Sequence, residues 1–135
     1  MILLDTDVLI DVALDRDPHV DASAALLGLL ERRPRMAFVA WHTLSNFFYL
    51  VSPTHGREDA RQFLVDLTRF VSVAPTDTEA FHYAAFLPLP DFEDALQVAA
   101  ARACGASYIA TRNVRDFQGS PVPARTPADL LGELA

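Results

Sequence analysis

Three aspartates in this sequence stand where separate segments of the chain end or begin, and together they could bind a metal ion. Asp5 ends an apolar run, Asp94 lies in the first turn of a predicted helix, and Asp116 follows another apolar run. Carboxylate oxygens are the ligands that the hard cations Mg²⁺ and Mn²⁺ prefer. The four histidines are scattered, and no Cys/His cluster has the spacing of a zinc site. A second interpretation stays open, because aspartate also commonly caps helices and forms turns.

The stretch from residue 91 to residue 117 contains the elements that would position two of these aspartates. It begins with three acids, which favour a helix N-terminus, and continues as a run of apolar and small residues. Gly105 is the predicted helix end, and residues 107–110 form a strand-like run before a polar loop. Open α/β sheets place their chemistry at the carboxyl ends of the strands. We therefore expect Asp94 and Asp116 to meet in one crevice.

Short apolar runs alternate with amphipathic segments along the whole chain. The predicted strands cover residues 1–4, 36–40, 71–73 and 107–110. The predicted starts of the helices outside the 91–117 stretch are a cap at Asp7, then Pro18, His42 or Thr43 (with an end at Pro53 and Gly56), Glu58, a cap at Thr76 or Asp77, and Pro127. This alternation predicts an α/β fold, a three-layer α/β/α arrangement with a central parallel sheet of about four to five strands. At 135 residues we expect one domain, residues 1–135.

The charge of the chain is negative and unevenly distributed. The formal net charge of −7 argues against a broad basic surface for nucleic acid. Seven of the eighteen acids fall within residues 5–15 and 91–94. Acids gathered at the ends of strands and helices repel one another unless a cation joins them. This distribution is consistent with a cation site.

The sequence carries no signal for a membrane or for an oxidising compartment. No apolar run approaches the roughly 18–20 residues that cross a bilayer, and the first residues lack the basic region of a signal peptide. The one cysteine, Cys104, excludes an internal disulfide and fits a reducing cytoplasm. Its position at an apolar helix end predicts a buried, unreactive thiol. We expect a cytoplasmic protein.

The absence of lysine removes two families from consideration. All eleven basic residues are arginine. The start, MILLDTDV, superficially resembles the nucleophile motif of haloacid-dehalogenase-type phosphatases, and the clustered acids resemble the pocket of phosphoacceptor receiver domains. Both families usually carry an active-site lysine. A chain without lysine therefore fits neither of them.

Four motifs spread over nearly the whole chain resemble PIN-domain proteins of the type found in VapC-like toxins. They are LLDTDVLID at 3–11, TLSNFFYL at 43–50, DFEDALQVAAA at 91–101 and YIATRNVRDF at 108–117. The terminal TPADLL at 126–131 also fits a branch of that family. The TRNxxDF element with an upstream DA dipeptide is fairly specific, whereas DTD alone is a weak signal.

The resemblance implies a metal-dependent ribonuclease fold with carboxylates at Asp5, Asp94 and Asp116 around Mg²⁺ or Mn²⁺. A further acid, usually Glu, is expected on the helix after the second strand, where this chain has Asn46. An amide oxygen can ligate Mg²⁺ but brings no charge. Three carboxylates exceed the charge of one divalent ion but fall short of two, so we predict one firmly held metal and a second recruited only with substrate phosphate. Asp91, at i,i+3 from Asp94, is a further candidate ligand and equally a candidate helix N-cap.

The implied reaction is hydrolysis of an RNA phosphodiester, in which the metal lowers the pKa of a bound water and polarises the phosphate. Thr6, Thr111 and Asn113 are predicted to orient the water or the phosphate by hydrogen bonds. Arg112 and Arg115 are predicted to grip RNA phosphates. For both arginines, a solvated position on a loop is an equal alternative.

Two further groups of residues have alternative interpretations. Arg57 and Arg61, one helical turn apart, could extend an RNA groove, although plain surface charge is the favoured interpretation. The third predicted helix carries aromatic residues that could stack on bases, although packing in the core or a dimer is favoured: Trp41, Phe47, Phe48 and Tyr49.

The resemblance also implies partners. It implies a homodimer and the toxin of a type II toxin–antitoxin pair, with a small antitoxin whose tail blocks the acidic groove. Such a groove suits an antitoxin arginine. A different class of function stays open because Asn46 replaces an acid. The chain would then be a catalytically weak PIN module that mainly binds RNA or protein.

Overall fold

Five short strands form one parallel sheet in the computed structural model of the chain, which describes residues 1–134. The sheet has the order β3-β2-β1-β4-β5 and every pairing is parallel. The strands are β1 (Ile2–Leu4), β2 (Ala37–Val39), β3 (Val71–Val73), β4 (Tyr108–Ala110) and β5 (Ala124–Arg125). The central strand β1 is buried along its length, as expected for a strand covered on both faces.

Seven helices cover the two faces of the sheet. They are α1 (Thr6–Ala13), α2 (Val20–Glu31), α3 (Trp41–His55), α4 (Arg57–Leu67), α5 (Thr78–Ala85), α6 (Phe92–Ala103) and α7 (Pro127–Leu134). Ile2 and Leu4 of β1 join the core that contains residues of α1–α4 and α7. Leu3 between them joins the opposite core, which contains residues of α6. This alternation follows the two-residue period of a strand, and it confirms the predicted three-layer α/β/α class.

The chain order of the strands creates a crevice beside β1. From β1 the chain moves to β2 on one side, and it later returns to β4 on the other side. Parallel sheets bind ligands at such a switch point, beyond the carboxyl ends of the strands. Residues that follow β1 and β4 are therefore brought together.

Several predicted helix ends are confirmed because they depend on local hydrogen bonds. The side chain of Asp77 accepts from the backbone N–H of Ala80 at 3.1 Å and caps α5. The side chain of Asp91 caps α6 in the same way, through the N–H of Asp94 at 3.1 Å. Gly105 follows α6 with a φ of 69°, a conformation in which glycine has no Cβ to strain.

Other boundaries were predicted wrongly. α1 is capped by Asp5 and not by Asp7, because the chain is still extended at Asp5 and its carboxylate accepts from the N–H of Thr6 at 2.8 Å. α3 begins at Trp41, one residue before the predicted start, and continues through Pro53 to His55; Gly56 is its C-cap, as predicted. Proline removes one backbone donor, and in the last turn of a fifteen-residue helix that loss does not end it.

The prediction of a buried, unreactive thiol at Cys104 agrees with the structure in part. Cys104 is half-buried, its Sγ donates to the carbonyl of Ala101 at 3.4 Å, and burial raises the pKa of its thiol. That is consistent with an unreactive side chain. Among the helices of residues 1–134, none combines the length and the apolar character that spanning a bilayer requires.

A buried polar trio connects three helices beneath the carboxyl edge of the sheet. The Nε2 of Gln97, on α6, donates to the Oγ1 of Thr43 at 3.0 Å and to the Oγ1 of Thr6 at 3.3 Å. The two threonine hydroxyls lie 2.9 Å apart, and all three side chains are buried. The trio therefore ties together the N-terminal parts of α1, α3 and α6.

Candidate functional site

A cleft of about 490 Å³ opens at the carboxyl ends of β1 and β4. Its walls come from α1, α3, α6 and the segment after β4. The structure places there all four residues predicted around the metal, together with Asp91 as the additional candidate: Asp5, Asn46, Asp91, Asp94 and Asp116. The expectation that Asp94 and Asp116 share a crevice agrees with this geometry.

Asp5 is the most buried of these carboxylates. Its Oδ1 accepts from the N–H of Thr6 at 2.8 Å, and its Oδ2 accepts from the Oγ1 of Thr111 at 2.9 Å. Only 8% of the residue is exposed. Burial, followed by repulsion from Asp7, raises the pKa of Asp5 to about 8, although the two hydrogen bonds act in the opposite direction.

The hydroxyl of Thr111 lies between two carboxylates. Its Oγ1 is 2.9 Å from Oδ2 of Asp5 and 3.1 Å from Oδ2 of Asp7, and it accepts from the N–H of Asn113. A hydroxyl has one hydrogen to donate, so it can serve only one of the two carboxylates. The other close contact is favourable only if a proton or a cation offsets the second negative charge. Burial also raises the pKa of Asp7, although its contacts with Thr111 and Arg112 act in the opposite direction.

Asp94 lies on the opposite wall, in the first turn of α6. Two contacts hold this turn of α6 in place. Asp91 caps the helix, and Gln97, three residues after Asp94, belongs to the buried trio. Burial, then repulsion from Asp91 and Asp116, raises the pKa of Asp94 to about 6. Repulsion between carboxylates therefore adds to the effect of burial on this wall.

Asp116 and Asn46 complete the cleft from two other segments. Asp116 is exposed and lies in a short 3-10 helix, Val114–Phe117, which the buried ring of Phe117 anchors to the core. Asn46 is half-buried on α3, one turn after Thr43 of the buried trio. The two side chains therefore reach the cleft from elements that are each held by a buried neighbour.

The three residues predicted to orient a water or phosphate, Thr6, Thr111 and Asn113, make hydrogen bonds within the protein. Thr111 is fully buried beneath the cleft, and the side-chain amide of Asn113 donates to Oδ2 of Asp7 at 3.0 Å. Thr6 lines the cleft, but its hydroxyl bonds to Thr43 and Gln97. The contacts of Thr111 and Asn113 hold the carboxylates of Asp5 and Asp7 in place.

A second charged group beside the site was missed by the sequence reasoning. Asp7 lines the cleft, and Asp11, one turn further along α1, is fully buried. The Nε of Arg112 lies 3.0 Å from Oδ2 of Asp11 and 3.9 Å from Oδ2 of Asp7. Arg16 approaches Asp11 from the other side at 3.9 Å. The i,i+4 spacing of the two aspartates was visible in the sequence, but Asp7 was interpreted as a helix cap.

The two arginines of the TRNVRD segment therefore have different surroundings. Arg112 is engaged by two carboxylates of α1 and ties the segment after β4 to that helix. Arg115 is exposed and lines a neighbouring depression together with Asp94 and Asp116. Among residues 1–134, Arg115 has no carboxylate oxygen within 4.0 Å, so its guanidinium is the more available of the two.

The side-chain oxygens of the cleft are of the type that a hard cation prefers, but they are not gathered around a single point. Within residues 1–134, no three His, Cys, Asp or Glu side chains lie close enough to hold one ion. Six carboxylates nevertheless line one cleft together with the amide of Asn46: Asp5, Asp7, Asp91, Glu93, Asp94 and Asp116. In addition, Oδ1 of Asp7 is buried with no hydrogen-bond partner. Repulsion between the carboxylates opposes closer approach until a cation offsets their charge.

Comparison with known proteins gives a family and a fold. The sequence model of the PIN domain matches residues 1–115, ending one residue before Asp116. No curated protein matches the chain significantly.

Several solved structures share the fold. VapBC2 from Rickettsia felis, bound to a DNA fragment from its promoter, has a TM-score of 0.71 at 19% identity, over 93% of this chain and 98% of that chain. VapC20 from Mycobacterium tuberculosis, a sarcin–ricin loop cleaving toxin, has a TM-score of 0.70 at 18% identity, over 90% and 96%. DNA-bound VapBC from Salmonella typhimurium has a TM-score of 0.70 at 16% identity, over 93% and 97%. At these identities the likeness shows the fold alone.

Metal-free protein should become less stable as the pH rises. The pKa values of Asp5 and Asp94 are raised to about 8 and about 6, above the unfolded value of about 3.9. Their contribution to stability is fully present below the unfolded pKa and is lost as the pH rises through the folded values. In EDTA, we expect the free energy of unfolding to fall between pH 5 and pH 8.5 by about 1 kcal/mol or more.

Urea titrations followed by circular dichroism measure this slope. Asp5→Asn should flatten most of it, and Mn²⁺ should stabilise the unmodified chain more at pH 8 than at pH 5. A stability that does not change over this range, or an equal effect of Mn²⁺ on Asp5→Asn, would contradict the electrostatic description of the cleft.

Arg112 and Arg115 should differ in their effect on stability. Arg112→Met leaves the buried carboxylate of Asp11 with Arg16 alone, at 3.9 Å, and loss of one partner of a buried ion pair costs about 3 kcal/mol or more. Arg115→Met is the matched control, because Arg115 is exposed, and it should change stability by less than about 0.5 kcal/mol. Equal urea midpoints for the two variants would show that the Asp11–Arg112 pair is not structural.

Proposed function

The chain belongs to the PIN-domain family, and on that premise we propose that it is a metal-dependent endoribonuclease that hydrolyses RNA phosphodiester bonds. The observation that carries the proposal is the gathering of Asp5, Asp94 and Asp116 in one cleft at the carboxyl ends of β1 and β4. These residues come from three distant segments, and burial and mutual repulsion raise the pKa values of two of them. Carboxyl groups with shifted pKa values are typical of functional sites.

Asp5, Asp94 and Asp116 would hold one Mg²⁺ or Mn²⁺, with the amide oxygen of Asn46 as a neutral ligand. The bound ion would supply a water of lowered pKa and would polarise the scissile phosphate. Asp91 serves first as the cap of α6, which leaves it a supporting role. Asp7 adds a further carboxylate to the cleft, but Arg112 offsets part of its charge.

The other residues of the cleft position these groups or bind the substrate. Thr111 and Asn113 fasten Asp5 and Asp7 to the segment after β4. Arg112 holds that segment against α1. Arg115, exposed beside Asp94 and Asp116, would bind an RNA phosphate. Thr6 would act through the buried trio that positions α1, α3 and α6.

We propose further that the chain is the toxin of a type II toxin–antitoxin pair and acts in the cytoplasm as a homodimer. It shares its fold with VapBC and VapC20 structures, the latter described as a sarcin–ricin loop cleaving toxin. Because several carboxylates line the cleft, it would accept an arginine from an antitoxin tail.

The proposed domain is the whole chain, residues 1–135, although the family model ends at residue 115. The last described helix, α7, supports this extent. Leu130 on α7 is fully buried in the core that also contains Leu26 and Leu30 of α2. A guanidinium nitrogen of Arg33 donates to the carbonyl of Leu134 at 2.8 Å.

A second function is favoured by one specific observation. Asn46 lines the cleft at the place where the family usually has an acid. If the neutral side chain leaves the metal too weakly held, the chain is a catalytically weak PIN module that mainly binds RNA or protein. Measured cleavage distinguishes the two functions.

Asp94→Asn should abolish cleavage of structured RNA in Mn²⁺. The loss should exceed about 100-fold, because removing groups one shell away from a metal already costs 10–100-fold. Asp21→Asn, an exposed change on α2, is the control and should retain activity. Equal inactivity of the unmodified chain and Asp94→Asn would support the binding module instead.

The charge of the cleft should determine how many metal ions it holds. Calorimetric titration with Mn²⁺ should give one tight site per chain, since the three proposed ligand carboxylates cannot offset two divalent ions, while Asp7 is paired with Arg112 and Asp91 caps α6. Asn46→Glu adds the missing charge and should introduce a second site, whereas Asn46→Gln should leave one. Two tight sites in the unmodified protein would overturn the one-metal prediction.

A further inference from the structure

A second depression lies at the carboxyl ends of β2 and β3, beside the acidic cleft at β1 and β4. It has a volume of about 180 Å³, and its walls come from the segments after β2 and β3 and from α5 and α6. Trp41, Phe81 and Leu96 are its large apolar residues, and His42 and Asp77 are its titratable ones. Among residues 1–134, none lines both this depression and the acidic cleft. The depression, called the aromatic pocket below, is therefore separate from the proposed nuclease site.

The aromatic side chains of the pocket are exposed. Trp41 is 70% exposed and Phe81 is 49% exposed. Phe81 meets the ring of Phe92, which is also exposed, edge-on at 6.0 Å. Within residues 1–134, the ring of Trp41 pairs with no other aromatic ring and with no arginine. Clustered exposed apolar side chains are typical of interaction surfaces, and tryptophan contributes more than most residues to binding at them.

The polar groups of the pocket favour a positively charged ligand. Oδ1 of Asp77 caps α5, and Oδ2 of the same carboxylate remains free to accept a hydrogen bond. Burial lowers the pKa of His42, although the charge of Glu93 acts in the opposite direction, so the imidazole is neutral at pH 7. Neither arginine nor lysine is among the described residues that line the pocket. The pocket thus combines one carboxylate in its wall and a second nearby with no positive charge.

His42 also has an unsatisfied polar atom. Its Nε2 is buried and has no hydrogen-bond partner among the described residues, which is uncommon in folded proteins. A neutral imidazole accepts one hydrogen bond through its unprotonated nitrogen. Because Nε2 is covered, the ring has to turn about its Cβ–Cγ bond to present that atom to the pocket. A ligand that donates hydrogen bonds would then satisfy it.

A guanidinium group has each property that these features require. It is planar and always charged, it donates hydrogen bonds without accepting any, and it stacks on aromatic rings. The chain itself makes such contacts, since the guanidinium of Arg102 lies 4.2 Å from the ring centroid of Tyr83 and that of Arg125 lies 5.2 Å from that of Tyr108. An ammonium has the charge without the plane. A nucleotide has the plane, but the net charge of −7 and the carboxylate of Asp77 would repel its phosphate.

We propose that the aromatic pocket binds an arginine side chain of a partner polypeptide. The guanidinium lies against the exposed ring of Trp41 and donates hydrogen bonds to the carboxylate of Asp77 and to His42. Phe81 and Phe92 contact apolar residues beside that arginine. The inference goes beyond the proposed nuclease function and does not rest on it, because the pocket and the acidic cleft are lined by different residues.

Trp41 is the one tryptophan of the chain, so its fluorescence reports binding at the pocket directly. The unmodified protein is titrated at neutral pH with acetyl-arginine amide and with the capped forms of citrulline and lysine. Citrulline has nearly the shape of arginine but no charge. We expect a saturable change for arginine, with a dissociation constant on the order of 1 mM. Citrulline should bind about fivefold more weakly than arginine, and lysine should lie between them.

Three variants test the residues of the pocket, and two matched controls leave it intact. Asp77→Asn removes the charge but keeps the cap of α5, because asparagine caps helices as well as aspartate does. Asp77→Asn and His42→Leu should each weaken arginine binding about fivefold, and Phe81→Ala about threefold. Glu79→Gln removes an exposed carboxylate from the same helix, and Phe86→Ala removes an exposed aromatic ring just after it. Both controls lie outside the pocket and should change the affinity less than twofold.

Equal binding of arginine and citrulline, or no saturable response to arginine, would overturn the proposal. Tighter binding of cytidine or adenosine than of arginine would also overturn it and would assign the pocket to a nucleobase. Without ligand, the emission of Trp41 should not depend on protein concentration. A shift to shorter wavelength at high concentration would contradict the proposal and would assign the pocket to a second copy of the chain.

The affinities of the three pocket variants decide the matter independently of the ligand series. Affinities equal to those of the two controls would place the bound arginine elsewhere and would overturn the assignment. Thermal unfolding followed by circular dichroism identifies any variant that fails to fold, and Asp77→Asn, which keeps its cap, remains informative in that case. Cleavage of RNA enters none of these measurements, so failure of the proposed function and failure of this inference are distinguishable.

Discussion

The site depends on a small set of buried hydrogen bonds between three helices. Gln97 donates to both Thr6 and Thr43. Thr6 is next to Asp5 in the chain. Gln97 and Thr43 lie one helical turn from Asp94 and from Asn46. A buried polar group without a partner costs about 1–3 kcal/mol, so the helices cannot move apart without that cost. The trio thereby sets the relative positions of the residues that form the cleft, although Oε1 of Gln97 itself has no hydrogen-bond partner.

This scaffold brings together groups that repel one another. Asp5 and Asp7 both approach the single hydroxyl of Thr111, and Asp94 faces further acids across the cleft. In the absence of a cation, burial and repulsion from neighbouring carboxylates raise the pKa values of Asp5 and Asp94, which favours protonation of these carboxyls. A divalent ion would therefore stabilise the protein by offsetting this repulsion. Its binding would be coupled to the release of protons from the carboxyls.

Local patterns in the sequence predicted the parts of the structure that local interactions determine. The caps at Asp77 and Asp91 follow from hydrogen bonds over three residues, and the alternation of apolar runs predicted the three-layer class. β5 escaped prediction because it has two residues and no apolar run. The Asp11–Arg112 pair escaped because it depends on β1 and β4 being neighbours in the sheet, a contact between residues 101 positions apart. The roles of Thr6 and Gln97 depend on the same tertiary packing.

The central claim is that side-chain oxygens of Asp5, Asp94 and Asp116 share one divalent cation. Crystals soaked in Mn²⁺ and measured at the manganese absorption edge locate such an ion directly by its anomalous scattering. A single strong peak is expected in the cleft, within about 2.0–2.3 Å of these oxygens or joined to them through water. A cleft in which the three carboxylates point apart with no peak between them would contradict the claim.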